Sequence, residues 1–412
     1  MSNQSTPRIE SLCIQNYRVL HDLELKGITP LTVFLGPNGS VKSTIFHALT
    51  FLSDCLQYGL LTASQWHGPL RFLRTSGAEG AIVIEVSYRE SPDSALITYH
   101  LAVNEENDKP FVTEEWLEWQ HEPSEPTLRL LEFTNGHGWV VAGELLNDVE
   151  MRINERLQSS DLIAASVLGQ LAKYPHLAAL RRFITGWHLF NLTPASTRNA
   201  PDFGPQDRLS RTGHNLANVV QFLQELTPER FQTILQMLAD RIPRLASVRV
   251  ATTTGGHLIL QIKDTSFEQP ISAALISDGT LMLLAYLTVL YGPNPSPLIG
   301  VDEPENYLHP RLMLGLAEAF RSASADRQIL MATHSPYFVD ALRPEELWVF
   351  YRNEKGFTQV RRSADMQGVK EFIQNGAQLG QLWIESFFEV GDPLTNSGGP
   401  KRQSRIEIGE GG

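Results

Sequence analysis

The stretch that most narrows what this chain can become is Leu31–Thr44, which reads LTVFLGPNGSVKST. Five apolar or β-branched residues lead into Gly36, as in a buried strand that enters a tight turn. Lys42, Ser43 and Thr44 follow the turn, and then Ile45, Leu49 and Leu52 fall on one face of a helix. Strand, glycine-rich loop and helix, in that order, are the setting that a phosphate-binding loop requires. Backbone N–H groups and the positive end of the helix dipole converge on phosphate oxygens in such a loop. The candidate cofactor-binding residues here are therefore Gly36, Pro37, Asn38, Gly39, Ser40, Val41, Lys42, Ser43 and Thr44. Lys42 is expected to reach the β- and γ-phosphates, and the Ser43 hydroxyl to ligate Mg²⁺. The pattern G-x-x-x-x-G-K-[ST] asks for glycine before the lysine, where this chain has Val41. A β-branched residue is stiff there, and if the position needs φ > 0 the strain is about 1–3 kcal/mol. That is enough to weaken nucleotide binding and slow turnover without abolishing the loop, and Val41→Gly is expected to raise one or the other.

A length of 412 residues suggests two to three domains with ample material for a core. With 42% hydrophobic and 19% charged residues, the composition is that of a soluble globular protein. No apolar run reaches the length of a membrane span, and no leader-like pattern opens the chain. Cys13 and Cys55 are too few for a disulfide framework or a zinc site, so a reduced, cytoplasmic setting is expected. The net charge of −12 argues against wholesale wrapping by nucleic acid; DNA contact would need a local basic patch.

Along the chain, Ile9–Tyr17, Leu23–Leu25 and Leu31–Leu35 read as strands, an antiparallel edge joined to the nucleotide-binding sheet. Tyr17 and Arg18 are placed to stack on adenine, or else on a surface hairpin. Residues 57–76 read as polar and irregular, and Gln65 there is a candidate for reaching Mg²⁺ and the attacking water. Ala81–Tyr88, Ala95–Val103, Pro110–Gln120, Leu128–Phe133 and His137–Val141 form a β-rich lobe of hairpins. The signal from Glu144 to Trp187 is helical. Leu192–Leu209 reads as a long surface loop, and Asn215 as the N-cap of an amphipathic helix. A helix over Pro228–Asp240 precedes strands at Ala246–Ala251 and His257–Ile262. No internal repeat appears, and no heptad run long enough for coiled-coil arms.

The last third carries the other half of the chemistry. PLIGVDE, Pro297–Glu303, is an apolar run ending in two carboxylates. Such runs are parallel strands buried on both faces, with ligands at their carboxyl ends. Asp302 is expected to hold Mg²⁺ through water, and Glu303 to orient and deprotonate the attacking water. QILMATHSPYFVD, Gln328–Asp340, delivers His334 to the same edge, where it can sense the γ-phosphate. Ser277, Asp278 and Gly279 start a strongly apolar helix, a second N-terminus able to receive an anion. Within one chain it is redundant, but it can close on the γ-phosphate held by a second copy.

Taken together, GPNGSVKST, LISDGT, LIGVDEPENYLHP and ATHSP resemble the motif set of the ABC-type ATPases of the SMC/RecF/OLD group, in that group's order. More narrowly, the chain resembles the compact bacterial AAA-type ATPases of that group that lack coiled-coil arms. The resemblance places Gly36–Thr44 at the Walker A loop, Ser277–Thr280 at the signature motif and Asp302 and Glu303 at Walker B. Glu305–Pro310 falls at the D-loop, and His334 at the switch histidine. Asp278 and Thr280 stand where transporters usually carry Gly and Gln. It implies an α/β fold: a P-loop NTPase, ABC-type head with a mixed central sheet flanked by helices, an antiparallel β lobe and a helical insertion. The expected division is residues 1–60 and 266–388 for the core, 61–143 for the lobe, 144–265 for the insertion with its terminal strands, and 389–412 for a disordered tail.

By the same resemblance, two heads sandwich ATP and Mg²⁺ as a homodimer, with Lys42, Glu303 and His334 as the catalytic set. Ser43 and Asp302, with Gln65, are then the metal ligands, and Ser277 and Gly279 complete the partner's nucleotide site. No Toprim-type nuclease carboxylates follow, so a separate effector protein, a nuclease or toxin of a bacterial defence module, is the expected partner. Two alternatives stay open: a RecF-like maintenance ATPase that binds DNA directly, and a nucleotide-binding scaffold with little turnover because of Val41.

Overall fold

The computed structural model describes residues 6–37, 42–122, 124, 126–143, 151–388 and 390. The chain opens with β1 (Arg8–Tyr17), β2 (Leu20–Lys26) and β3 (Leu31–Leu35), followed by α1 (Lys42–Tyr58), α2 (Leu60–His67) and α3 (Leu70–Leu73). Six strands come next: β4 (Ile82–Arg89), β5 (Leu96–Glu106), β6 (Lys109–Gln120), β7 (Leu128–Thr134), β8 (His137–Ala142) and β9 (Met151–Arg156). The middle segment holds α4 (Ala164–Leu168), α5 (Pro175–Thr185), β10 (His188–Phe190), α6 (Pro194–Thr197), α7 (Leu216–Leu226) and α8 (Pro228–Ala239). It ends in β11 (Leu245–Thr252), β12 (Leu258–Asp264) and the short β13 (Ile271–Ser272). The last part runs α9 (Asp278–Tyr291), β14 (Leu298–Asp302), α10 (Met313–Ala323), β15 (Gln328–Thr333), α11 (Pro336–Val339), β16 (Leu347–Arg352), β17 (Thr358–Arg362), α12 (Val369–Gln374) and α13 (Leu379–Ile384).

Two large sheets organise these elements. One has six strands in the order β10-β14-β15-β3-β16-β17, parallel throughout except for the edge strand β17. All five residues of β3 are buried, as a strand covered on both faces must be. Phe34 turns to the side of α1, touching Phe46 with ring centroids 6.1 Å apart, while Leu31, Val33 and Leu35 join the cluster built on α9. The other sheet has eight antiparallel strands in the order β2-β1-β4-β5-β6-β7-β8-β9. Helix α1 lies in the core shared by the inner face of this sheet and one face of the parallel sheet; α7 to α10 cover the opposite face. Gly300 makes close packing possible on β14, because a Cβ there would stand 2.3 Å from Leu189 Cδ2.

Several elements differ from the sequence expectation. Strands β1 and β2 do not edge the parallel sheet; β1 pairs with β4, inside the antiparallel one. Alternation of apolar residues specifies a half-buried strand but not its neighbour. Residues 60–73, expected to be irregular, are largely helical, with Leu60, Ala63, Leu70 and Leu73 buried. Gly59 and Gly68, at φ 88° and 105°, break this helix into short pieces that escape periodicity. Of the segment expected to be helical from residue 144, residues 144–150 lie outside the described residues; among the described ones Met151–Arg156 is strand β9, and Ala164–Leu168 and Pro175–Thr185 are the helical parts before Trp187. Asn215 stands at the N-cap of α7 without capping it. Its Oδ1 accepts from Ser210 N (2.8 Å) and its Nδ2 donates to Arg208 O (3.0 Å), so it ties down the preceding loop.

Candidate functional site

The strand register brings the motifs to one edge. Asp302 is paired with Ala332, and Thr333 with Leu35, so the residues after β14, β15 and β3 emerge side by side. Lys42 begins α1 directly behind this edge and is only 4% exposed. Its Nζ donates to Gly36 O at 2.8 Å and Pro37 O at 3.3 Å, and lies 3.3 Å from His334 Nε2. Burial lowers its pKa to about 8, against the opposing pull of the Asp302, Glu303 and Glu305 carboxylates.

The Ser43 hydroxyl hydrogen-bonds to the Asp302 carboxylate, whose pKa is raised by burial. Asp302 Oδ1 is buried with no hydrogen-bond partner among the described residues. A buried, unsatisfied carboxylate oxygen beside a hydroxyl is a poor arrangement in isolation and a good one for a hard, oxygen-seeking cation. These residues therefore fit Mg²⁺.

Glu303 adopts φ 48°, a left-handed conformation uncommon for a side-chain-bearing residue. Its N–H still donates to Ala332 O (2.8 Å), which completes the strand pairing before the chain turns. The turn carries the carboxylate between two partners: Oε1 is 2.8 Å from His334 Nε2, and Oε2 accepts from Asn306 Nδ2 at 2.8 Å. His334 is fixed in turn by its backbone N–H, which donates to Glu305 Oε1 at 2.6 Å. The left-handed turn at the strand end and the side-chain contacts with His334 and Asn306 pre-position the Glu303 carboxylate.

The start of α9 is built separately. Ser277 caps the helix, its Oγ accepting from Thr280 N at 3.3 Å. Gly279 lies against the loop after Glu303, where a Cβ would meet Tyr307 O at 2.9 Å. Arg198 locks the turn from outside: Nε donates to Ala273 O (3.2 Å), Nη2 to Ile276 O (2.7 Å), and Nη2 pairs with Asp278 Oδ1 at 2.5 Å. An acidic residue in a helix's first turn opposes an incoming anion; this one is neutralised by Arg198.

Of the residues singled out from sequence, Lys42, Ser43, Asp302, Glu303 and His334 are gathered here, with Gly36 and Pro37 supplying carbonyls to the lysine. Thr44 is buried on α1. Asn38, Gly39, Ser40 and Val41 lie outside the described residues. Gln65 is exposed on α2, and no hydrogen bond among the described residues ties it to Ser43 or Asp302. Tyr17 is fully buried, with its hydroxyl 2.5 Å from His47 Nδ1, and cannot stack on a base. Arg18 Nη2 lies 2.9 Å from His47 Nε2. A guanidinium only donates, so Nε2 accepts and Nδ1 carries the proton toward Tyr17. Sequence reasoning missed Asn306, Glu305 and Arg198 as supports. The first two lie inside the PENYLHP motif, whereas Arg198 sits in a loop with no local signal.

A lysine at the head of a helix that follows a parallel strand, facing carboxylates from the neighbouring strand ends, defines a P-loop nucleotide-binding site in an α/β fold. The chain belongs to the family described as "AAA domain, putative AbiEii toxin, Type IV TA system", whose profile matches residues 31–340. This agrees with the resemblance drawn from the motifs. No curated protein matches the chain. Among solved structures, the chain is similar to an SMC head bound to the C-winged helix domain of ScpA, at 13% identity over 86% of this chain and 96% of that one, TM-score 0.49. It is also similar to the SMC head domain from Thermotoga maritima (14% identity, 86% and 98% covered, TM-score 0.41). A third is the Smc head domain with an extended coiled coil bound to the C-terminal domain of ScpA, from Pyrococcus furiosus (11% identity, 89% and 100% covered, TM-score 0.49). Among the described residues, no helix is long and apolar enough to cross a membrane.

Proposed function

We propose that the chain binds and hydrolyses ATP, closes against a second copy around the nucleotide, and through that closure controls a separate effector protein. One observation carries the reading: Lys42, the Ser43–Asp302 pair and the Glu303–His334–Asn306 set meet at one strand edge although they lie far apart in the chain. Lys42 would exchange its contacts with Gly36 and Pro37 for phosphate oxygens. Ser43 and Asp302 would hold Mg²⁺, which neutralises charge on the phosphates when bound. Glu303, kept in place by His334 and Asn306, would accept a proton from the water that attacks the γ-phosphorus, as the bond to the bridging oxygen breaks. His334 lies within reach of both Lys42 and Glu303, so it is placed to register whether the terminal phosphate is present.

Closure is supported by the start of α9, a capped helix N-terminus whose acidic residue is neutralised by Arg198 and which could receive the nucleotide of a second copy. Differential affinity of ATP for the closed pair would shift the population toward it. The family's description names a toxin of a type IV toxin–antitoxin system, which supports a defence module with a nuclease or toxin as effector. Glu303→Gln tests the reading: phosphate release should fall at least about 100-fold, the scale of general-base catalysis, while ATP holds the variant as a dimer in sedimentation. Unchanged hydrolysis in that variant would remove Glu303 from the mechanism.

A further inference from the structure

The end of the parallel sheet away from the nucleotide site holds a cavity of about 240 Å³, lined by Arg230 and Thr233 on α8, Tyr291 on α9, Ser322 on α10, and Asp326 and Arg327 just before β15. Arg327 precedes that strand and His334 follows it, so its six residues, about 20 Å of chain, separate the two places. Arg327 is only 6% exposed, and among the described residues no carboxylate forms an ion pair with it. Its nitrogens differ in their surroundings. Nε is sealed in the interior with no partner among the described residues. Nη1 reaches Val289 O at 3.4 Å, a long bond. Nη2 makes no hydrogen bond among the described residues either, but it is not sealed, so it is the nitrogen that opens onto the cavity.

A second cation lines the same space. Arg230 is exposed on α8 and donates through Nη1 to Gly292 O at 2.9 Å. Burial pulls the Arg327 pKa below its usual value; the Arg230 charge adds to that, while Asp326 opposes it. The negative end of α9 explains why arginines gather here. Two carbonyl bonds nevertheless leave two like charges at one cavity without a counter-ion, and a buried charge is costly unless it is paired. Asp326 is the one carboxylate on the described lining, and it stands exposed without forming an ion pair with either arginine. Tyr291 and Ser322 add hydroxyls, whereas that of Thr233 already donates to Glu229 O (3.1 Å). The volume falls below the range of about 300–1,000 Å³ usual for drug-sized ligands, so the missing counter-ion is small.

We propose that this cavity is an anion site for a phosphate group, either the free ion or the phosphoryl end of a larger molecule. Arg327 Nη2 and the Arg230 guanidinium donate to its oxygens in charge-assisted bonds. Two cations and two hydroxyls suit a doubly charged, tetrahedral oxyanion better than a carboxylate. None of these residues belongs to the site around Lys42, so the proposal does not depend on the nucleotide reading.

Equilibrium dialysis of the full chain against labelled inorganic phosphate and phenyl phosphate tests this, in the parent and in Lys42→Ala, which weakens phosphate binding at the loop. Saturable binding of at least one probe should persist in Lys42→Ala. Adding Arg230→Ala or Arg327→Gln should weaken it at least about tenfold, the scale of one lost charge-assisted bond. Arg230 is exposed, so its substitution keeps the test valid should Arg327→Gln fail to fold. Tighter binding of phenyl phosphate assigns the site to a phosphoryl group on a larger molecule, and tighter binding of inorganic phosphate to the free ion. The absence of saturable binding of both probes at millimolar concentration, or affinities that neither arginine substitution alters, would overturn the proposal. So would binding that Lys42→Ala abolishes, because the loop would then be the only phosphate site.

Discussion

Replacing Arg198 with alanine is the sharpest perturbation of the proposed closure. Arg198 touches no residue of the Lys42 site, yet it holds two backbone carbonyls and the Asp278 carboxylate at the start of α9. The ion pair is partly solvated, with side chains 26% and 46% exposed, so it contributes no more than about 1 kcal/mol. The two charge-assisted bonds to carbonyls contribute about 1–2 kcal/mol each in this half-buried setting. The turn therefore loses about 2–5 kcal/mol of local support, and Asp278 is left as an unpaired negative charge where an anion must approach. Because every 1.4 kcal/mol is a factor of ten, ATP-dependent dimerisation and kcat/KM should fall at least about tenfold. ATP affinity of the isolated subunit should stay as it is, since Lys42, Ser43 and Asp302 are untouched. The double variant Arg198→Ala with Asp278→Asn separates the two causes. It removes the repulsion but not the lost carbonyl bonds, so it should recover part of the loss, whereas Asp278→Asn alone should cost little. Equilibrium sedimentation with ATP and steady-state hydrolysis supply the readouts. If Arg198→Ala dimerises and turns over as the parent does, the turn it holds is not where a second subunit's nucleotide is received.

Two further outcomes follow from the packing and the electrostatics. Gly279→Ala would drive a Cβ to 2.9 Å from the Tyr307 carbonyl, so the turn after Glu303 or the start of α9 must shift. Hydrolysis should drop with a loss of stability of about 1–3 kcal/mol, typical of overpacking, and a urea midpoint equal to the parent's would contradict the contact. His188, stacked on Phe190 at 4.3 Å, has its pKa lowered from 6.5 to about 4 by burial and then by Arg208 and Arg211. The folded state therefore binds fewer protons than the unfolded one between those values. The contribution is fully present above pH 6.5 and is lost as pH falls, by about 2 kcal/mol between pH 7 and 5. Denaturant melts at the two pH values should show that loss in the parent and a smaller one in His188→Phe; identical losses would refute the assignment.

How far the sequence could be read depended on whether a side chain's partner was local. β3 and β14 lie within runs whose apolar character admits little but a buried parallel strand, so Lys42 and Asp302 could be placed at one edge before any coordinates. Tyr17 could not, because its burial depends on His47, 30 residues away on α1. Arg198 was invisible for the same reason, since its acceptors are backbone carbonyls 75 and 78 residues further on. Asn306 was legible as part of a motif but not as the group that holds Glu303. That role depends on a left-handed turn at Glu303, and no propensity rule places such a turn at a glutamate.

The account rests most heavily on the convergence of Lys42, Ser43 and Asp302 on a single metal-bound triphosphate. Titrating the full chain with Mg-ATP in a calorimeter, beside Lys42→Ala and without Mg²⁺, addresses this directly. Saturable heat in the parent, weakened at least about tenfold by the substitution or by leaving out the cation, is the predicted result. No heat at millimolar Mg-ATP, or binding that Lys42→Ala leaves intact, would contradict it.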